Sequence, residues 1–534
     1  MKKYLHKRRY LASFDTAALP QTAANVVIIG SGVAGLRAAI EAAGHGKVTV
    51  LTKETASESN TDNAQGGVAV VLSKCDSVEE HVKDTLVAGA GLCDEDVVRY
   101  VVKEGPERVK ELIEWGAEFD RDNGDLLFTQ EGGHSRARII HANGDATGHE
   151  IERALLAKAK ATRNITVIEH AYVVDILTEG SRAAGALAYV KNKLHVFYAP
   201  SVIIASGGAC HVYRETTNPS TATGDGIAMA YRAGATLSDL EFVQFHPTTL
   251  YIAGAARTLV SETVRGEGGQ LKDRFGVHFM PNYHPLGDLA PRDIVSRGII
   301  AQMGATHDTN VYLDLRHLDK KRILKRFPKL AELCAQFDID IAKNMIPVRP
   351  SAHYFCGGIR TDRSGATDVE GLYACGEAAS TGLHGANRLG SNSLLEGLVY
   401  GWTAGARAAE AAVKPGPRPS ISSTASEDSR RVAAIDVQDM ENSLRSLVWR
   451  QVGIEREARS LAESEERIDF WSSYVMDKDF ATPAGWQIQN MLTTAKLITF
   501  SARMRTESRG AHHRTDFPDR DDLNWNRHLI IKRG

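Results

Sequence analysis

Gly30, Gly32 and Gly35, in the run GSGVAG, are the residues whose type and spacing first suggest chemistry. Glycines so placed can bring backbone N–H groups against a pyrophosphate. Gly30 permits a tight turn, Gly32 clears the approach of the phosphate, and Gly35 lets a helix lie close on a sheet with its positive end toward the anion. The pattern carries information only between a strand and a helix. Both flanks fit: Val26 to Ile29 is an apolar run with the composition of a buried strand, helical spacing follows the glycines, and VTVLT supplies a second strand. A βαβ unit that binds a dinucleotide is predicted. Its second strand ends in Thr52 and Lys53, where an NAD site carries an acid for the ribose, which weakens NAD and leaves FAD open.

The remaining elements must build around that unit. ASESNTDNAQGGVAVVL, from Ala56, is a polar loop that can either wrap a ligand or simply connect two elements. Residues 78–118 have helical spacing, and the long polar stretch LFTQEGGHSRARIIHANGDATGHE after them is predicted to be functional. Helix and strand patterns follow over 149–210. They end in SVIIASGGA, an apolar strand opening onto Gly207 and Gly208 that is predicted to rejoin the sheet beside the nucleotide. Residues 229–356 interrupt this logic and read as an inserted domain. GLYACGEAA then supplies one more strand and turn, and LLEGLVYGWTAGARAAEAA a helix with small apolar faces. The Pro- and Ser-rich run KPGPRPSISSTASEDS reads as a linker. Met440, Leu444, Leu447, Val448 and the segments 455–473 and 483–508 predict a helical bundle, with Thr482 and Pro483 as a helix start and Gly510 as a stop. The expected division is 24–228 with 357–413, an insertion 229–356, a linker 414–430 and a C-terminal domain 431–534.

Composition narrows the class. With 534 residues, 43% of them hydrophobic, the chain can bury several large cores, and a net charge of -2 makes no global electrostatic case for nucleic acid or an anionic membrane. Six scattered cysteines without a CxxC pair read as reduced thiols rather than disulfides or a metal site, which points to a cytoplasmic location. No apolar run approaches the roughly 20 residues of a membrane span. The basic start, residues 1–22, is expected to be a loose arm, and His512 and His513 interface or surface residues.

Taken together, GSGVAG, NAQGG, ASGGA, TGDGIAMA, EFVQFHPT, RGEGG, APRDIVSR, AHYFCGG, GLYACGE, HGANRLGSNSL and ESRGAHHRTDFP resemble the flavoprotein family of succinate dehydrogenase, fumarate reductase and L-aspartate oxidase. Eleven motifs in family order make the resemblance specific over nearly the whole chain. It implies an α/β fold, with a Rossmann-type FAD-binding domain, an inserted α+β capping domain and a C-terminal helical bundle. Within the family the chain is most similar to the aspartate-oxidising branch. EGGHS places an acid, Glu131, where the dehydrogenases have an uncharged residue, and Asn60 matches the histidine through which they link flavin covalently.

The resemblance implies FAD, held noncovalently, by Gly30, Ser31, Gly32, Val33, Ala34, Gly35 and Lys53, by the loop Asn60, Thr61, Asp62, Asn63, Ala64, Gln65, Gly66 and Gly67, and by Asp225, Glu377, Ser393 and Leu394. Ser393 is expected to open the helix 394–412, whose positive end would stabilise charge on a reduced flavin. A four-carbon dicarboxylate is expected between Arg388 with His353 at one end and His246 with Ser261 at the other. Arg292 matches the family's proton-shuttling arginine, with Asp293 or Glu262 as relay partner. Glu131 is expected to attract the α-ammonium group.

The implied reaction is hydride transfer from L-aspartate to FAD, giving iminoaspartate, with oxygen or fumarate as acceptor. It would be the first step of de novo NAD synthesis, coupled to quinolinate synthase. The competing readings are a fumarate reductase or succinate dehydrogenase flavoprotein subunit, and a flavin-binding scaffold without catalysis.

Overall fold

Val26–Ile29 is buried at every position because it is the middle strand of a parallel sheet covered on both faces. The order across that sheet is Ile165–Ile168, Val48–Leu51, Val26–Ile29, Ser201–Ile204, Leu372–Ala374. SVII thus pairs with VVII as expected, and the last strand arrives from the far side of the insertion. The protein is seen in a computed structural model that describes residues 8–255, 257–412, 418–424 and 434–534.

Helix Val33–Ala42 follows the glycine turn and packs on helix Asn392–Ala411. Gly397, Gly401 and Gly405 make this contact close. A Cβ on Gly401 would lie 2.6 Å from the Ala34 carbonyl oxygen, and one on Gly405 equally near that of Ala38. Gly35 plays the same part toward the sheet, where a Cβ would meet the Gly30 carbonyl oxygen at 2.1 Å.

The inserted part is an antiparallel sheet, Val243–Leu250, Ile346–Phe355, Val311–Asp314, Gln270–Lys272, with helix Arg292–Thr306 laid on it. The expected boundary at 229 falls inside helix Asp225–Ala233. Beyond that helix, Leu237–Ser238 pairs with Gly358–Arg360 and with Ile530–Ile531 near the C-terminus, in a sheet separate from the parallel one.

Helices Val437–Gln451, Ala458–Val475 and Pro483–Met504 form the C-terminal bundle, with Met440, Leu444, Leu447 and Val448 all buried. The last helix stops at Met504, before Gly510. That glycine, in the left-handed region at φ 52°, instead lets the backbone touch Ala386, whose carbonyl accepts from the Ala511 N–H at 2.9 Å.

Three further expectations change. Residues 1–7 lie outside the described residues, but the rest of the expected arm is packed, with Leu11, Ala12 and Phe14 buried beside Trp486. Of the expected linker, 414–417 and 425–430 lie outside the described residues, whereas Ser422–Ser423 pairs with Phe14–Asp15. His512 is wholly buried, accepting from Arg456 Nη1 at 2.7 Å and donating from Nε2 to the Arg505 carbonyl at 3.2 Å. Burial, then Arg456 and Arg505, holds its pKa well below the usual histidine value.

Candidate active site

A cavity of about 460 Å³ runs from the C-terminal ends of the parallel strands to the inserted sheet. That is where an open α/β sheet places its ligand, and the volume is within the usual range for a small-molecule site.

At the nucleotide end it is lined by Gly30, Ser31, Gly32, Val33 and Ala34, by Lys53, and by Asn60, Thr61, Asn63, Ala64, Gln65, Gly66 and Gly67. Ser31 Oγ donates to Thr52 Oγ1 at 2.9 Å, and Thr61 Oγ1 accepts from the Val33 N–H at 3.0 Å, tying the loop to the helix start. Lys53 Nζ meets Asp225 Oδ2 at 2.9 Å. Burial pushes the Asp225 carboxyl up, but Lys53 and its hydrogen bonds outweigh burial and hold it low. Asp62 is an exception to the expected set. It does not line the cavity but pairs outward with His149 at 2.7 Å. Gly35 lies beneath the turn as a packing residue.

In the middle, Asn60 Nδ2 donates to Glu377 Oε2 at 2.8 Å, and Glu377 Oε1 accepts from the Phe355 N–H at 2.9 Å. Burial raises the Glu377 pKa. Helix Asn392–Ala411 begins two residues earlier than expected, so Ser393 and Leu394 sit in its first turn rather than at its opening, still lining the cavity.

The far end gathers the cations. Arg388 stacks its guanidinium 4.1 Å above the Tyr354 ring and donates from Nη1 to Ser393 Oγ at 2.9 Å. Gln244 Oε1 accepts from Arg388 Nη2 at 3.1 Å and from Arg292 Nη1 at 3.4 Å, so one amide spaces the two arginines. The His246 and His353 rings lie 5.3 Å apart. His246 Nδ1 is engaged by the Thr248 backbone and His353 Nδ1 by Thr217 Oγ1, and neither Nε2 has a hydrogen-bond partner among the described residues. Burial, then Arg292 for His246 and Arg388 for His353, holds both pKa values well below the usual value, so both rings are neutral near pH 7. Ser261 also lines the cavity, its hydroxyl 3.1 Å from that of Thr263.

Arg292 Nε donates to Glu262 Oε2 at 2.7 Å, and Arg265 Nη2 to Glu262 Oε1 at 3.1 Å. Asp293 faces Arg297 at 3.2 Å, so of the two expected relay partners only Glu262 touches Arg292. Glu131, 9% exposed, accepts from Ser391 Oγ through Oε2 at 2.7 Å; its Oε1 accepts no hydrogen bond among the described residues. Gly390 separates it from Arg292: a Cβ there would be 3.1 Å from Arg292 Nη2 and 3.2 Å from Glu131 Oε2.

Gln244, Tyr354, Arg257 and Ser391 are among the cavity or site residues that were not foreseen. Gln244 had a signal, since it stands two residues before His246 and an extended strand puts both on one face. Tyr354 and Ser391 stood inside the motifs AHYFCGG and HGANRLGSNSL without a mark of their own, and Arg257 had no signal.

The residues fit an elongated cofactor. The turn offers a phosphate cradle, and Asn60 Oδ1 and Ser206 Oγ are buried polar atoms beside the cavity with no hydrogen-bond partner among the described residues. The family model described as FAD binding domain matches residues 25–394, and the one described as fumarate reductase flavoprotein C-term matches residues 441–534. An L-aspartate oxidase of Streptomyces coelicolor is 44% identical over 96% of this chain and 91% of its own. That of Pseudomonas aeruginosa is 43% identical over 93% and 96%. Among solved structures, an E. coli quinol fumarate reductase chain superposes with a TM-score of 0.88 at 33% identity, covering 96% of each chain.

Proposed function

The chain belongs to the L-aspartate oxidase family of FAD-binding flavoproteins, and on that premise we propose that it oxidises L-aspartate to iminoaspartate, with oxygen or fumarate as electron acceptor. The observation that carries this reading is Glu131. A carboxylate with one open oxygen stands near Arg292 in the cavity that Arg388, His246 and His353 also line, where a substrate bearing two carboxylates and one ammonium group needs both signs of charge.

FAD, when bound, supplies the two-electron acceptor for the hydride that leaves the α carbon. The chain's own residues bind and orient the substrate. Arg388, with a planar fork held flat on Tyr354 and spaced from Arg292 by Gln244, grips one carboxylate together with His353. His246 and Ser261 orient the other. Both imidazoles, being neutral, add no charge to a site that already holds two arginines, and His353 can donate from Nε2 while its Nδ1 accepts from the Thr217 hydroxyl. Arg292, kept charged by Glu262, draws the dicarboxylate in and, in the fumarate direction, gives a proton to the substrate carbon and regains one by way of Glu262.

Asn60 offers an amide where a covalent flavin link would need a nucleophilic ring nitrogen, so FAD is held noncovalently. Iminoaspartate is an unstable product, and the family's place at the start of de novo NAD synthesis supports coupling to quinolinate synthase. All six cysteines are free, which supports a reducing, cytoplasmic compartment. Among the described residues no helix is long and apolar enough to cross a membrane.

The decisive test is anaerobic addition of L-aspartate to the holoenzyme, which should bleach the flavin, followed by fumarate, which should restore its colour. Bleaching by succinate but not by aspartate would move the chain to the dehydrogenase branch, and bleaching by neither would leave the scaffold reading.

A further inference from the structure

A second cavity, of about 370 Å³, lies against the first, and Glu131 and Glu262 stand in the wall between them. Its lining includes Leu127, 44% exposed, and Leu289, 58% exposed, so it reaches the surface. Asp120, Thr129, Gln130 and His141 make its interior polar, as a water-holding space requires.

Amine oxidation needs such a space. A hydride can leave the α carbon only as the nitrogen lone pair forms the C=N bond, and an ammonium group has no lone pair. One proton must therefore leave the nitrogen first. The groups around the substrate differ in their capacity to take it. His246 and His353 are poor proton acceptors, since burial and the arginines favour their neutral forms. Glu262 has one oxygen on Arg292 and the other on Arg265. Glu377 has one oxygen on Asn60 and the other on the Phe355 N–H. Glu131 has Oε2 on Ser391 and Oε1 open, 3.9 Å from where a Cβ on Gly66 of the cofactor loop would stand.

Resting on the aspartate-oxidation reading, we propose that Glu131 takes one proton from the substrate's α-ammonium group and hands it to water in the second cavity. An N–H bond breaks as an O–H bond forms on the carboxylate. That O–H bond then breaks toward water, restoring the carboxylate. The nitrogen lone pair closes the C=N bond as the hydride, with two electrons, passes from the α carbon to the flavin named above. Proton and hydride thus leave by different sides of the site, the proton through a carboxylate with one face in each cavity.

The test follows anaerobic bleaching of the holoenzyme at subsaturating L-aspartate from about pH 6.5 to about 9.5, in the native protein and in Glu131→Gln. The native rate should stay nearly level, while the variant's should rise about tenfold per pH unit, because only neutral amine from solution can then react. Parallel profiles, both rising or both level, would overturn the proposal. A second variant, Thr129→Val with His141→Phe, replaces a hydrogen-bonded pair (2.8 Å) in the second cavity by apolar groups of similar shape. It should bleach more slowly with aspartate while binding fumarate, read as the flavin absorbance shift, with unchanged affinity; an unchanged bleaching rate would remove this cavity from the proton's path and sink the proposal. Should aspartate fail to bleach the native holoenzyme at any pH, the oxidase reading itself falls, an outcome distinct from bleaching with parallel profiles.

Discussion

Arg292 and Glu262 form an ion pair at 2.7 Å inside the site, and the same carboxylate is shared with Arg265 on its other oxygen. Burial alone would push the Glu262 carboxyl up, but the two guanidiniums pull it below its ordinary value. Glu262→Gln keeps hydrogen-bonding capacity yet leaves two buried cations uncompensated, a change that costs about 3–5 kcal/mol when a buried pair is broken. The variant should bind FAD, melt at a lower temperature and lose fumarate reduction by about a hundredfold or more. Full fumarate-dependent reoxidation at a lowered melting temperature would show that Glu262 only stabilises the fold.

Arg388→Leu should lose aspartate oxidation and fumarate reduction together while retaining flavin. It removes a carboxylate grip common to both ligands and worth about 2–5 kcal/mol. Steady-state rates with each ligand, normalised to bound FAD, check this. Retention of either rate would place the substrate elsewhere in the cavity.

At one fixed neutral pH, Glu131→Gln should slow bleaching by aspartate while leaving fumarate reduction within a factor of a few. A charged hydrogen bond is worth about 1.5–3 kcal/mol, or roughly ten- to hundredfold. Fumarate has no ammonium group to lose. Equal losses with both ligands would indicate a flavin or folding defect instead.

Acid or heat denaturation should release intact FAD into the supernatant, because Asn60 cannot form a covalent link. Flavin fluorescence remaining on the denatured chain in a gel would contradict this.

Stability should fall as pH drops below about 6.5, the ordinary histidine value. His246, His353 and His512 are neutral in the folded protein, with pKa values held well below that value first by burial, while the same rings in the unfolded chain bind protons below it. The unfolded state then binds more protons, so each ring removes about 1.4 kcal/mol per pH unit between its unfolded and folded pKa. His512 lies outside the substrate site and isolates the effect. In urea denaturation, the native protein's advantage over His512→Gln should shrink as pH falls from about 7 to about 5. A pH-independent difference would mean that His512 does not titrate on unfolding.

Much of the architecture was legible because it is encoded locally. VVII, GSGVAG and VTVL specify strand, turn and helix through β-branched runs and glycines, and SVII with its following glycines announces a second buried strand, so the parallel core could be assembled from short segments. The cluster of Arg292, Arg388, His246 and His353 was legible only through motif resemblance, since a single histidine or arginine has no local mark of function.

Other features depended on contacts far apart in the chain. Gln244 spaces Arg388 across 144 residues, Ser391 orients Glu131 across 260, and Glu262 rather than the adjacent Asp293 meets Arg292. His512 is charged or neutral, surface or core, only according to what Arg456 and Arg505 do once the C-terminal loop docks. Asp62 sits in the middle of the cofactor loop yet turns outward to His149, because the turns of that loop, not its composition, set where each side chain points. By itself the sequence determined backbone conformation, hydrophobic periodicity and the inventory of charged groups, all of which are local. Which groups meet, which stay open and which face two cavities was decided by tertiary packing, because pair geometry and burial depend on elements that approach one another only in the folded chain.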